Sequence, residues 1–266
     1  MVEIALSLAI IGFALVAVVG VLPTGMQVQR ENREETIINQ DAQVWLSAIR
    51  EGARGYDELT NYVDAITNIV TVYGPNGALL AGPDRLGYTR TECTLNNTLL
   101  SPANVITNGA RIVGLLSTPK FTYHDVAGRL VARSNYVMAY VRAMSGAATE
   151  VAPQTNQSVR ELAFGYRLVS EVVPCTAWDT NWVAFNAAGL SAEEAAARSN
   201  YWWVARNTYA NLHEVRLLFR WPLLARGQTG SGRQVFRTTI SGVLTNDSRL
   251  GQVFYFFNPD SYARYP

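Results

Sequence analysis

Lysine is almost missing from this chain: Lys120 is the single one among 266 residues, and histidine and cysteine number two each. With so few ligands, and no H-E-x-x-H or C-x-x-C spacing, the sequence offers no metal-binding set, and neither a metal nor another cofactor is expected. No G-x-S-x-G nucleophile elbow is present, so no catalytic residue is assigned and an enzyme is not expected. The formal charge is only +1 and no Lys/Arg cluster occurs, which removes the electrostatic case for nucleic acid as a partner. Charged residues make up 16% and hydrophobic ones 48%, a balance that supports a packed core and excludes a disordered chain. No repeat of fixed period is visible.

The longest absence is local. From Ile4 to Leu22 there is no charged side chain, and as a helix rising about 1.5 Å per residue these nineteen residues cover roughly 28 Å, the thickness of a bilayer's hydrocarbon core. A secretory signal peptide would have a basic start, a shorter apolar core and a small-residue cut site, and none is present. Arg30 and Arg33 follow the run and no cation precedes it, which would leave the body cytoplasmic unless a short basic leader once preceded Met1. Glu3 sits at the lip of the run. An acid there is costly in a membrane and needs a partner, and a free α-amino group on a neighbouring copy is the nearest conceivable one. Pro23, flanked by Gly20 and Gly25, predicts a break in the helix between about residues 20 and 25, because a proline inside a helix removes a donor and costs about 3 kcal/mol. The alternative is that Pro23 ends a membrane helix at the interface.

The stretch Val2-Glu3-Ile4-Ala5-Leu6, running into an apolar helix interrupted near Gly20 and Pro23, resembles the type IV pilin and type II secretion pseudopilin class over about the first 50 residues. The resemblance implies removal of a basic leader by a prepilin peptidase, N-methylation of the new terminus, and an inner-membrane stage. An assembly machinery would then pack the helices inside an extracellular homopolymeric filament. It gives Glu3 the role of the family glutamate, pairing with a neighbour's terminal amine, with Met1, Ile4 and Pro23 as further assembly residues. The family glutamate is usually the fifth mature residue and here it is third, so either two residues are missing before Val2, the favoured explanation, or the amine lies about 3 Å nearer along the helix axis. A pseudopilin of a secretion system and a single-pass anchored protein with a surface-binding body are the alternatives.

Beyond the break, Met26 to Glu51 reads as a second, amphipathic helical half, with Ile38, Ala42, Trp45 and Ile49 in one stripe and Ile37, Val44 and Ala48 alongside. Gln29 to Thr36 carries no apolar residue and reads as solvated, with Arg30 and Glu34 as i,i+4 partners. Gly52 and Gly55 are stop signals. Residues 1–55 therefore form a helical unit, and residues 56–266 a β-rich head.

In the head, Ile66 to Gly82 reads as strand, turn, strand about Gly74-Pro75-Asn76-Gly77. Ser134 to Gly146, Leu162 to Val173, Val215 to Trp221, Gln234 to Leu244 and Gln252 to Phe257 read as further strands, the last three as a meander. One helix is expected after a capping box at Ser191 and Glu194. The fold class is α+β, a long N-terminal helix followed by a mostly antiparallel sheet. Cys93 and Cys175 are expected to bond, two free thiols being the alternative. Gly227 to Gln234 resembles a phosphate-binding loop up to its last two positions, where Arg233 and Gln234 replace the required lysine and hydroxyl, so a hairpin connection is expected. His124 and His213 read as ordinary surface or interface histidines, since each neighbouring carboxylate points to the opposite face of a strand. Tyr201-Trp202-Trp203 and Phe254-Tyr255-Phe256-Phe257, taken as strands, read either as subunit contacts or as buried sandwich.

Overall fold

The computed structural model describes residues 2–52, 56–89, 93–95, 98–100, 106, 108–126, 129–145, 164–176, 189–224, 227–247 and 253–264. Helix α1 spans Val2–Glu51, 50 residues, and runs through Pro23 without interruption. The break expected between Gly20 and Gly25 is therefore not formed. Proline forfeits one donor and crowds the carbonyl four residues earlier, but the intact turns on both sides carry the helix across this defect. The helix stops where the sequence indicates: Gly52 takes φ +74°. A Cβ there would lie 2.7 Å from the Phe257 carbonyl oxygen, so glycine is required both by the backbone and by its neighbour.

A short 3-10 turn (Asp57–Asn61) leads into strand β1 (Val63–Tyr73), which hairpins into β2 (Leu79–Thr89). The turn falls at Gly74 to Gly77 as the glycine and proline spacing predicts, closed by the Gly77 amide donating to the Gly74 carbonyl at 2.9 Å. Strands β3 (Cys93–Leu95) and β4 (Thr98–Leu100) form a two-stranded pair. Helix α2 (Gly109–Leu116) follows, capped by the Asn108 side chain, which accepts from the Arg111 amide. Strands β5 (Phe121–Val126), β6 (Arg129–Arg142) and β7 (Gly165–Pro174) come next. Helix α3 (Ala192–Asn211) then precedes β8 (Leu212–Leu223), β9 (Thr229–Ser241), β10 (Val243–Asp247) and β11 (Phe254–Asn258).

The main sheet is antiparallel throughout, with strand order β2-β1-β6-β7-β8-β9 and β5 paired to β6. Alternation along the strands sends Val137, Ala139, Val141, Tyr166, Leu168, Val215, Leu217 and Phe219 to one face, where they are buried. The second half of α1, helix α2 and strand β11 pack over that face and complete the core. Gly114 of α2 marks how closely these layers approach, since a Cβ on it would lie 2.8 Å from side-chain atoms of Phe254 and Phe256.

Three differences from the sequence reading have local causes. Strand β11 pairs with β10 in a separate two-stranded sheet, so only β8 and β9 of the expected meander are adjacent in the main sheet. Helix α3 begins at the expected capping box, with the Glu194 amide donating to Ser191 Oγ and the Ser191 amide to Glu194 Oε2. It continues through Tyr201, Trp202 and Trp203, which the aromatic content had suggested as strand. Helix α2 is not expected from the sequence, because eight residues, apolar or glycine apart from Arg111, are too few to show a helical period.

Candidate assembly surface and its anchor

Helix α1 divides into two physically different halves. Every residue from Val2 to Arg33 is exposed, including Ile4 at 65% and Phe13 at 79%. This half is long and apolar enough to cross a membrane, and none of its most apolar window is buried by the body. Covering one large aliphatic side chain is worth about 1.5 to 3 kcal/mol, so leaving this run in water costs on the order of tens of kcal/mol. The surface requires either lipid or other helices. Beyond the helix's own adjoining backbone, nothing lies within 4 Å of where a Cβ on Gly12, Gly20 or Gly25 would stand, which leaves shallow places where a second helix backbone can approach.

Glu3 lies exposed in the first turn of α1, where the helix dipole favours an anion, and its backbone carbonyl accepts the Ser7 hydroxyl at 2.8 Å. Ile4 is on the same free segment, and Met1 lies outside the described residues. Among the described residues, no group of the head packs on Glu3, Gly20 or Pro23, all of which are exposed. Farther along, Arg30 pairs with Glu34 at 2.9 Å, as their spacing predicts, and this polar turn borders a cleft of about 1060 Å³ against Trp221, Pro222 and Ser231 to Gln234 of the β8–β9 hairpin.

The second half is anchored. Ile37, Ile38, Ala42, Trp45, Ala48 and Ile49 are buried as the stripe predicts, whereas Val44 stands outside it. Sequence reasoning missed Asp41, which lies on the same face with 0% exposure. Its Oδ2 accepts the Met144 amide and the Tyr166 hydroxyl, both at 2.9 Å, and its Oδ1 accepts the Ser145 amide at 2.9 Å. Tyr166 in turn accepts the Trp45 Nε1–H at 2.8 Å. Burial pushes the Asp41 carboxyl up from its ordinary range, and the hydrogen bonds from Met144, Ser145 and Tyr166 pull the other way. The Tyr166 hydroxyl is held well above 10 by burial and by the adjacent Asp41 carboxylate. At the sheet's edge, Gln234 donates to Asn39 at 3.1 Å and Arg50 to Thr238 at 3.2 Å. The buried bonds among Asp41, Trp45 and Tyr166 fix rotation and register, which apolar packing alone leaves loose. The free half is thus a rod held at a set angle by the head.

The remaining candidates separate cleanly. Cys175 carries a free, exposed thiol, so the expected bond to Cys93 is not formed; the Cys93 side chain lies outside the described residues. Gly227 to Gln234 connects β8 to β9 and enters a strand, as the failed motif predicts. His213 is not a surface residue: it is buried edge-on to Phe257, ring centroids 5.6 Å apart, and burial pushes its pKa down to about 4. The His124 side chain lies outside the described residues. Phe254, Phe256 and Phe257 are core, whereas Tyr201 is 74% exposed and Arg206 lies over the rings of Trp202 and Trp203. Among the described residues no three His, Cys, Asp or Glu side chains gather into a metal-binding group. No protein-family model, curated protein or solved structure matches this chain.

Proposed function

We propose that this protein is a structural subunit of a type IV pilus-like filament, polymerising through the apolar half of α1, with the sheet-rich head as the outer coat. The observation that carries the reading is the division of one continuous helix into a free apolar half and a half anchored by Asp41, Trp45 and Tyr166. A rod so held presents its apolar surface to neighbours in a fixed direction, which a helical array of identical copies needs. In this reading the inner membrane houses the rod before assembly, the filament is extracellular, and Glu3 neutralises a neighbour's terminal amine while setting its register. The partners are then further copies of the chain, a prepilin peptidase and a membrane assembly machinery.

The test is Glu3→Ala in the natural host, with filaments sheared from cells and counted by electron microscopy. Loss of filaments with a normally folded head supports the proposal, whereas normal filament yield removes the registration role. Absence of any fibrous form from the unaltered strain removes the filament reading altogether and leaves a membrane-anchored surface protein. A pseudopilin differs in its readout: deletion would abolish secretion while leaving surface fibres unaffected.

A further inference from the structure

The face of the main sheet that points away from α1 carries arginines placed side by side. Arg167 of β7 pairs in register with Arg220 of β8, and Arg220 with Arg233 of β9, so three guanidinium side chains stand in one row across three strands. Neighbouring strands are about 4.8 Å apart, and like charges directly opposite one another destabilise a sheet. One residue pair away along the strands the same face is apolar, with Val169, Leu218 and Val235 in a second row. A third row holds Glu171, Arg216 and Arg237, and there carboxylates stand among the cations: Glu171 takes Lys120 at 3.0 Å, while Arg216 binds Glu214 through two hydrogen bonds of 2.9 Å.

The first row holds no carboxylate. The Nε atoms of Arg167 and Arg220 are buried with no hydrogen-bond partner, and among the described residues no carboxylate pairs with Arg167, Arg220 or Arg233. Arg233, at the sheet's edge, also borders the cleft lined by Glu31, Glu34 and Glu35 without forming an ion pair with any of them. The row starts at Tyr140, which pairs with Arg167 and is covered by Gly227, and it ends exposed at Arg233. It is closed at one end and open at the other.

From this geometry we infer that Arg167, Arg220 and Arg233 form a binding site for a compact oligoanion bearing phosphate or carboxylate groups. The guanidinium fork matches both groups through paired N–H donors, and an anion bridging adjacent arginines removes the repulsion between them. Ser231, two residues before Arg233 on the same face of β9, offers a hydroxyl donor beside the open end. The row lies on the face opposite the anchor of α1, and only its open end at Arg233 reaches the cleft beside that helix.

The test uses the full chain in non-ionic detergent at low ionic strength, titrated calorimetrically with pyrophosphate and, separately, with citrate. Saturable one-to-one binding of either is expected, weakening with salt, and the stronger of the two identifies the phosphate or carboxylate class. Arg220→Gln is expected to weaken binding about tenfold or more, with Arg220→Lys between it and the unaltered chain. Without ligand, Arg220→Gln is expected to melt no lower than the unaltered chain, because removing the central charge relieves its neighbours. If that variant does not fold, Arg233→Gln at the exposed edge reports the same loss. Absence of saturable binding to both anions overturns the inference, as does unchanged affinity in the foldable variants. Tighter binding of a single-stranded oligonucleotide than of pyrophosphate would also overturn it, in favour of a nucleic-acid surface.

Discussion

Trp45 and Tyr166 stand 121 positions apart in the chain and meet in the core, the indole N–H donating to the phenol oxygen at 2.8 Å. The Tyr166 hydroxyl donates in turn to Asp41 at 2.9 Å, so a helix residue, a central strand and a second helix residue share one chain of hydrogen bonds. Together with the aliphatic packing of Ile38, Ala42 and Ile49, this contact seats the second half of α1 on the sheet.

Replacing Asp41 with alanine leaves two backbone amides and a buried hydroxyl without acceptors. An orphaned buried group costs about 1 to 3 kcal/mol, and less for the part-buried Met144 and Ser145 amides, so Asp41→Ala is expected to lose about 3 kcal/mol. Trp45→Phe, which removes a single donor, is expected to lose about 1 kcal/mol plus a packing cost. Denaturant unfolding of the full chain in detergent, followed by tryptophan fluorescence, measures Asp41→Ala, and far-ultraviolet dichroism serves for Trp45→Phe.

Stability is expected to fall in mild acid through His213. Its folded pKa of about 4 lies below the ordinary 6.5, so the unfolded chain takes up a proton first. The contribution is complete above about pH 6.5, declines as the pH drops toward 4, and is exhausted below that, for a total of about 3 kcal/mol. Asp41, whose carboxyl is pushed up, acts in the opposite sense and loses its contribution as the pH rises through the carboxylate range. The difference between the unaltered chain and His213→Leu across pH isolates the histidine; an acid slope that survives in the variant would assign it elsewhere.

Gly114→Ala sets two effects against each other. Alanine favours the helix by about 1 kcal/mol, but its Cβ would lie 2.8 Å from Phe254 Cβ, which cannot move without β11. Overpacking of this kind costs about 1 to 3 kcal/mol, so a net loss of stability is expected, read as a lowered melting midpoint. A raised midpoint would mean that β11 yields more easily than its burial suggests.

Much of the fold was legible because its signals are local. The apolar stripe of α1, the glycine and proline turn after β1 and the capping box of α3 each lie within a few residues, and each formed where expected. What escaped depends on distance. Asp41 reads as one polar residue beside an apolar stripe, and only the arrival of Tyr166, 125 positions later, makes it structural. The arginine row requires the register of three strands, which no single segment encodes. Trp202 and Trp203 suggest a strand by propensity, yet the helix begun at Ser191 carries through them. Pro23 signals a break by its local chemistry, but one missing donor does not melt a helix with intact turns on either side. As for the candidate assembly surface, its apolar run and Glu3 were visible in the sequence, while the anchor that directs it was not.

The division of α1 has its own test, a chain starting at Met26. The residues removed make no buried contact with the head, whereas Met26 borders the cleft beside Trp221 and the anchoring bonds begin at Asn39. The head should therefore keep its melting midpoint within a few degrees and lose its need for detergent, since the apolar surface that required cover is gone. Sedimentation and thermal unfolding in plain buffer measure both properties together. If the shortened chain instead aggregates or melts without cooperativity, then the apolar half stabilises the head directly, and the rod and head are not separable parts.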